Sequence, residues 1–403
     1  MKKKFLYAAA ISIYSLYAQG MSSTFFKPAT VIPKIRFAND AFFTINPIYS
    51  RTFSQKSYDR LGAQTELFQW SKPETLLNSF NDTTLEINDT TSAGNAYITG
   101  KSIIHETALL ITKNIKHGLF ADIQIFQQYL TIKNLALMPL NNQNEPFESE
   151  EALELTNPAL ADYVKVFKKN HVQFQEKAKK TYFLNQTYLW AGYTNSWNHF
   201  SQIDFIDFTC KLGLLLNLSK VKNNLIFDLP LHKSNGFCLE ANGAIGVLNW
   251  INIGATLATK IYPITQQTVA LNTNSIDNSF LKPYKNQATL RQRPFFYGNI
   301  YIEGDHIEGG LSLLLGYAYA VQMKTTVTTN DLQASNYDNN PQTRYAGWSS
   351  GSLLCEIEYD FATEKRRNVP AIKLSFIQPL HGRNVFKSAA QAISCCLQFS
   401  HVF

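Results

Sequence analysis

The sequence predicts an all-β chain: an antiparallel transmembrane β-barrel of about twelve strands, with about ten or fourteen as the nearest alternatives. Three observations carry this. Segments of about ten residues divide into an apolar file and a polar file when read in steps of two. The connections between those segments alternate between short and long. After the first twenty residues, no unbroken apolar run is long enough for a spanning helix. Charged residues are only 17% of the chain and aromatics are 13%, a composition suited to a greased exterior rather than a soluble surface.

Taken in order, residues 1–20 begin with Lys2, Lys3 and Lys4, continue with the apolar run 5–17 and close on Ala18, Gln19 and Gly20. A basic start, a short apolar stretch and small residues two apart are the pattern of a secretory signal peptide. Residues 21–40, with Pro28 and Pro33, read as an N-terminal periplasmic arm or plug, and 41–403 as the barrel. The first strand is expected at 41–53 on Phe43, Ile45 and Tyr49, with Pro47 inside it. The second, 96–113, has Glu106 in its apolar file. The remaining strands are expected at 119–136, 181–194, 203–217, 237–248, 250–263, 294–303, 309–323, 348–361, 369–380 and 391–403. The division is plainest where Ile206, Phe208, Cys210, Leu212, Leu214 and Leu216 alternate with Asp207, Thr209, Lys211 and Gly213. It recurs where Leu353, Cys355, Ile357, Tyr359 and Phe361 alternate with Ser352, Glu356, Glu358 and Asp360. A soluble sandwich explains that alternation equally well, but not the spacing of the connections. Rings near strand ends, including Trp190, Tyr193, Trp197, Trp250, Phe295, Phe296, Tyr297, Trp348, Tyr359 and Phe361, are candidates for interfacial girdles. In the loop 137–180, Leu160, Tyr163, Val164 and Phe167 form a stripe that predicts a short helix at 158–170.

The last strand carries apolar or soft residues at Ile393, Cys395, Leu397, Phe399 and Phe403 and ends on that Phe. This ending resembles the terminal strand of the outer-membrane β-barrels of diderm bacteria, which are porin-like in architecture. The resemblance implies a bacterial outer-membrane location, with Leu397, Phe399 and Phe403 as a barrel-assembly signal. It also implies outer-membrane lipids and the barrel-assembly machinery as partners, and leaves an oligomer open. With Phe403 in the periplasm the direction of every earlier strand follows, and the long loops lie outside the cell.

Functional classes narrow in turn. The net charge of +7 falls to +4 when Lys2, Lys3 and Lys4 leave with the signal, and no Lys/Arg stripe with interleaved aromatics is present, so no nucleic-acid partner is implied. The five cysteines lack metal-ligand spacing, and Cys210, Cys355 and Cys395 read as small lipid-facing hydrophobes. No cofactor or metal is implied. Parity turns Asp122, Gln124, Asp207, Lys211, Glu240, Lys260, Glu356, Glu358, Asp360 and Lys373 inward, as candidate pore-lining residues. Opposed charges across a lumen favour small polar or ionic solutes diffusing passively, so a channel is the first reading and no enzyme is expected. Mutual pairing that plugs a narrow barrel is the competing one. The segment His232, Lys233, Ser234, Asn235, Gly236 resembles the HxSNG motif of outer-membrane phospholipase and lipid A deacylase barrels. That resemblance implies His232 as base and Ser234 as nucleophile of an alternative lipase; Ser-Asn-Gly is also ordinary turn chemistry. A structural or adhesive barrel is the third reading, with 137–180 either folded inward as a constriction or standing at the surface.

Overall fold

The computed structural model describes residues 43–59, 61–66, 95–139, 180–198, 203–218, 235–248, 250–271, 284–329, 347–361 and 370–399, with isolated pairs at 12–13, 35–36 and 75–76. Twelve long strands make one antiparallel wall. They are β1 (Phe43–Tyr58), β2 (Asn95–Lys116), β3 (Leu119–Pro139), β4 (Lys180–Asn198), β5 (Phe205–Asn217) and β6 (Gly236–Leu248), followed by β7 (Ile251–Ile261), β8 (Phe295–Glu308), β9 (Leu311–Gln322), β10 (Trp348–Asp360), β11 (Ala371–Arg383) and β12 (Val385–Phe399). Each pairs with its neighbour in sequence, and β1 pairs with both β2 and β12, so the ring closes without an edge. Closure is what a membrane demands of a sheet, because an unpaired backbone group in hydrocarbon costs several kcal/mol.

The twelve long strands are two-faced over most of their described length. On β5, Asp207, Thr209 and Lys211 are buried, whereas Phe208, Leu212 and Leu214 are exposed. On β10, Glu356 and Glu358 are buried and Leu353, Ile357 and Tyr359 are exposed. Apolar side chains therefore cover the outside, and polar ones line the inside together with buried apolar residues such as Leu110, Phe126 and Leu314, largely the reverse of a soluble protein. Together with closure, this is the architecture of an outer-membrane barrel. No helix among the described residues is long and apolar enough to cross a membrane; the strands do so. Cys210, Cys355 and Cys395 lie half-buried on the outward files, and Cys238 and Cys396 are buried.

One end of the barrel carries the compact joints. Among them, His117 (φ 53°) and Gly118 (φ 80°) turn β2 into β3, and Gly309 (φ 57°) and Gly310 (φ 94°) turn β8 into β9. Left-handed φ at two successive positions makes a turn whose twist matches that of the strands. Gly118 is required for a second reason: a Cβ there would stand 2.1 Å from the Thr194 carbonyl oxygen. The opposite end carries the long connections and one tight turn, at Asn384. There Thr265–Leu271, Tyr284–Arg291 and Thr326–Thr329 form a small separate sheet, where the sequence predicted only loops.

Several strand bounds differ from expectation: β4 runs to Asn198 rather than 194 and β8 to Glu308 rather than 303, and two bulges account for the differences on β1 and β11. On β1 the alternation breaks at Gln55 and Lys56, both exposed, so the strand continues five residues beyond 53. On β11, Leu380 and His381 both face outward, and the strand runs on to Arg383. β12 then begins at Val385 rather than 391, after a turn at Asn384 (φ 48°) whose Nδ2 donates to the Gly347 carbonyl at 2.8 Å. A bulge shifts parity by one, which ends a pattern read in steps of two without ending the strand. The signal peptide, the arm or plug, the helix at 158–170 and Phe403 lie outside the described residues, apart from the pairs at 12–13 and 35–36.

Candidate functional site in the inner wall

Two charged clusters stand on the inward files. Toward the long-loop end, Lys260 on β7 reaches over β6 and β5 to β4, where its Nζ donates to the Tyr188 hydroxyl at 2.7 Å. The same ammonium lies 4.8 Å from the Tyr188 ring centroid and 5.8 Å from that of Phe295. Tyr188 stacks on Trp190 and meets Phe126 edge to face. Beside them, Lys211 pairs with Glu240 at 3.0 Å and sits 4.8 Å from the Trp190 ring. A lysine laid on a ring face is held there by the attraction between its charge and the ring quadrupole. The rings have room because glycines lie beneath them: a Cβ on Gly213 would meet Trp190 at 2.5 Å.

The second cluster is nearer the compact joints, where pairing sets Glu358 opposite Lys373 and Glu356 opposite Ser375. Lys373 Nζ is 3.0 Å from Glu356 and 3.2 Å from Glu358. Ser375 donates to Glu356 at 3.1 Å, Asn252 to Glu303 at 3.2 Å, and Ser312 to Asp305 at 3.0 Å. One ammonium thus serves an acidic sector that spans β8 to β10. Acidic groups also line the β1–β3 sector, where Gln128 donates to Glu106, Ser50 to Glu106 at 3.3 Å, and Gln124 to Asp122.

Of the ten inward residues chosen from sequence, nine are buried inside the barrel and Asp360 is half-buried near the compact joints. The structure brings Lys211 to Glu240 and Lys373 to Glu356 and Glu358. Asp122 with Gln124 stands apart from both groups, on β3. Sequence reasoning missed Glu106, Glu303, Asp305, Tyr188 and Trp190. Glu106 had been set in an apolar file; that file, with Ala108 and Leu110, faces the lumen, and the outward one holds His105, Thr107 and Leu109. Four girdle candidates also turn inward: Trp190, Phe295, Tyr297 and Trp348 are buried. Tyr193, Trp197, Trp250, Phe296, Tyr359 and Phe361 are exposed. Glycines opposite or beside a ring are the signal that would have found the inward ones. His232 and Ser234 of the lipase reading lie outside the described residues; of the assembly signal, Leu397 is half-buried on the outward file.

No family model matches the chain, and no curated protein matches it. Among solved structures it is similar to an outer membrane channel from Pseudomonas putida F1, at 9% identity and a TM-score of 0.49, over 95% of this chain and 100% of that one. It is similar to the translocator domain of the autotransporter NalP from Neisseria meningitidis at 7% identity and a TM-score of 0.39, over 90% and 89%. It is similar to the P. putida toluene transporter TodX at 11% identity and a TM-score of 0.35, over 90% and 91%. At these values no residue role passes from those proteins to this chain.

Proposed function

We propose that the barrel is an outer-membrane channel for passive diffusion of small polar or ionic solutes, with a preference for cations. The observation that carries it is the charge of the inner wall. Among the described residues, the buried charged ones are seven carboxylates and three lysines, although the chain as a whole is basic by +7. A lumen with excess negative charge concentrates cations and repels anions, and narrow walls of low dielectric sharpen that effect.

The burial of the Lys373 and Lys211 clusters favours a second reading, a barrel closed by its own side chains that serves as a structural or adhesive element. Planar-bilayer recording decides between the two. Purified, refolded protein under a potassium chloride gradient should give discrete conductance with a reversal potential of cation-selective sign. Replacing Glu303 and Glu358 by Gln should lower the cation-to-anion permeability ratio. Silence across salts sinks the channel reading and leaves the closed barrel.

A further inference from the structure

The outward wall is apolar around most of the ring, but one sector departs from this. Arg51 on β1, Lys101 on β2 and Lys133 on β3 are exposed outward, as is Lys56 near the upper end of β1, with Lys387 of β12 half-buried opposite it. Pairing sets Lys56 directly across from Lys387 and Lys101 directly across from Lys133. Arg51 lies across from His105, whose Nδ1 is 2.8 Å from the Tyr49 hydroxyl. No Asp or Glu stands on the described outward files of β12, β1, β2 or β3. On the described outward files of the other eight strands, the single Lys or Arg is Arg383, the last residue of β11. Like charges directly opposite destabilise a sheet. Lys56 also stands across from Glu66 of the short strand Gln64–Glu66, so among the described residues the facing pair with no carboxylate opposite is Lys101 and Lys133, and with Arg51 it calls for an anion from outside the chain.

The height of the sector says which anion. Below it, Ile123 and Ile393 continue the apolar belt, and exposed Tyr49 and Tyr129 mark its upper edge. Apart from Lys113, exposed on β2 near the compact joints, the cations start at that edge with Arg51 and rise toward the long-loop end; Lys101 is four residues above His105 on β2, about 13 Å along the strand. That is the level of headgroups, where long cationic side chains extend from the hydrocarbon to meet phosphate. A second copy of the chain docked by a two-fold axis would bring the same cations face to face, so charge argues against a dimer there.

We propose that the outward face of β12, β1, β2 and β3 above the apolar belt binds the phosphate of anionic lipid headgroups in the leaflet on the long-loop side. This site does not depend on the barrel conducting.

Native mass spectrometry of the full chain in mixed detergent and lipid micelles tests it, with phosphatidylglycerol against phosphatidylcholine as probes. The wild type should retain phosphatidylglycerol several-fold more than phosphatidylcholine. The quadruple variant K56Q/K101Q/K133Q/K387Q should lose that preference, the corresponding four Lys→Arg changes should keep it, and R383Q/K324Q, on other exposed cations, should match the wild type. Heat-modifiable gel mobility checks that each variant folds, and since all the substituted side chains of the quadruple variant lie on the outward wall, folding is expected. Equal retention of both lipids by the wild type, or an unchanged preference in the quadruple variant, overturns the proposal. Displacement of the lipid by millimolar inorganic phosphate also overturns it, in favour of a free-anion site. Loss of the preference only in the presence of a co-purified acidic protein would assign the face to that partner instead.

Discussion

At the scale of the residue, Lys373 carries more than any other inward side chain. It stands between Glu356 and Glu358, at 3.0 and 3.2 Å, and all three are buried. Removing one member of a buried pair leaves an uncompensated charge, so Lys373→Met should destabilise the barrel by about 3 kcal/mol or more. Urea unfolding of the refolded protein in detergent, followed by tryptophan fluorescence, should show an earlier midpoint, and Lys373→Arg should recover most of the loss. An unchanged midpoint for Lys373→Met would mean that the ammonium contributes nothing there. Parity alone marked all three residues as inward. It did not mark Glu303, because that file of β8 also holds Phe295, Tyr297, Asn299 and Tyr301, and rings mixed with amides do not read as polar. Tyr188 and Trp190 escaped for the same reason. Hydropathy does not distinguish an aromatic that faces lipid from one that faces a lumen.

At the scale of the element, the inner wall depends on small residues at particular crossings of neighbouring strands. Tyr301 of β8 leans over Gly254 of β7, where an added Cβ would stand 2.0 Å from the tyrosine oxygen. Gly243 of β6 faces open space by comparison, with its nearest neighbour, the Asp207 carbonyl oxygen, at 3.7 Å from an added Cβ. Gly254→Ala should therefore cost about 1–3 kcal/mol through overpacking, and Gly243→Ala should fall within about 0.5 kcal/mol of the wild type. The same unfolding measurement on the two variants checks this, and equal midpoints would show that the ring moves aside freely. Strand existence was legible in the sequence wherever both faces kept strict alternation, as on β5 and β7. It faded at Gln55 and Leu380, because a bulge changes parity while the ladder of hydrogen bonds continues on either side.

At the scale of the whole molecule, the seam between the first and last strands decides whether the sheet is a barrel. Ser54 of β1 and Ser388 of β12 are directly paired, and their hydroxyls hydrogen-bond across 334 residues of sequence. Ser54→Cys with Ser388→Cys, made in a background where the five native cysteines are serine, should oxidise to a disulfide. Peptide mapping should recover one cross-linked fragment, with a mass lower by the two hydrogens lost; separate peptides after oxidation would rule out the closed seam. The charge balance also belongs to this scale. Acidic residues collect inside and the outward cations of β12, β1, β2 and β3 collect at one sector, so a modest net charge conceals two opposed surfaces.

The sequence by itself determined the two-faced strands and most of their alternating connections, and placed their number at about twelve. Lipid on one side and polar groups on the other impose a period of two on each strand separately, so no knowledge of its neighbours is needed. Tertiary structure decided which inward residues meet. Lys260 finds Tyr188 three strands and 72 residues away because the register of β4 through β7 brings them level. Register is a property of pairs of strands and closure a property of all twelve, and neither is written in the alternation of any one of them.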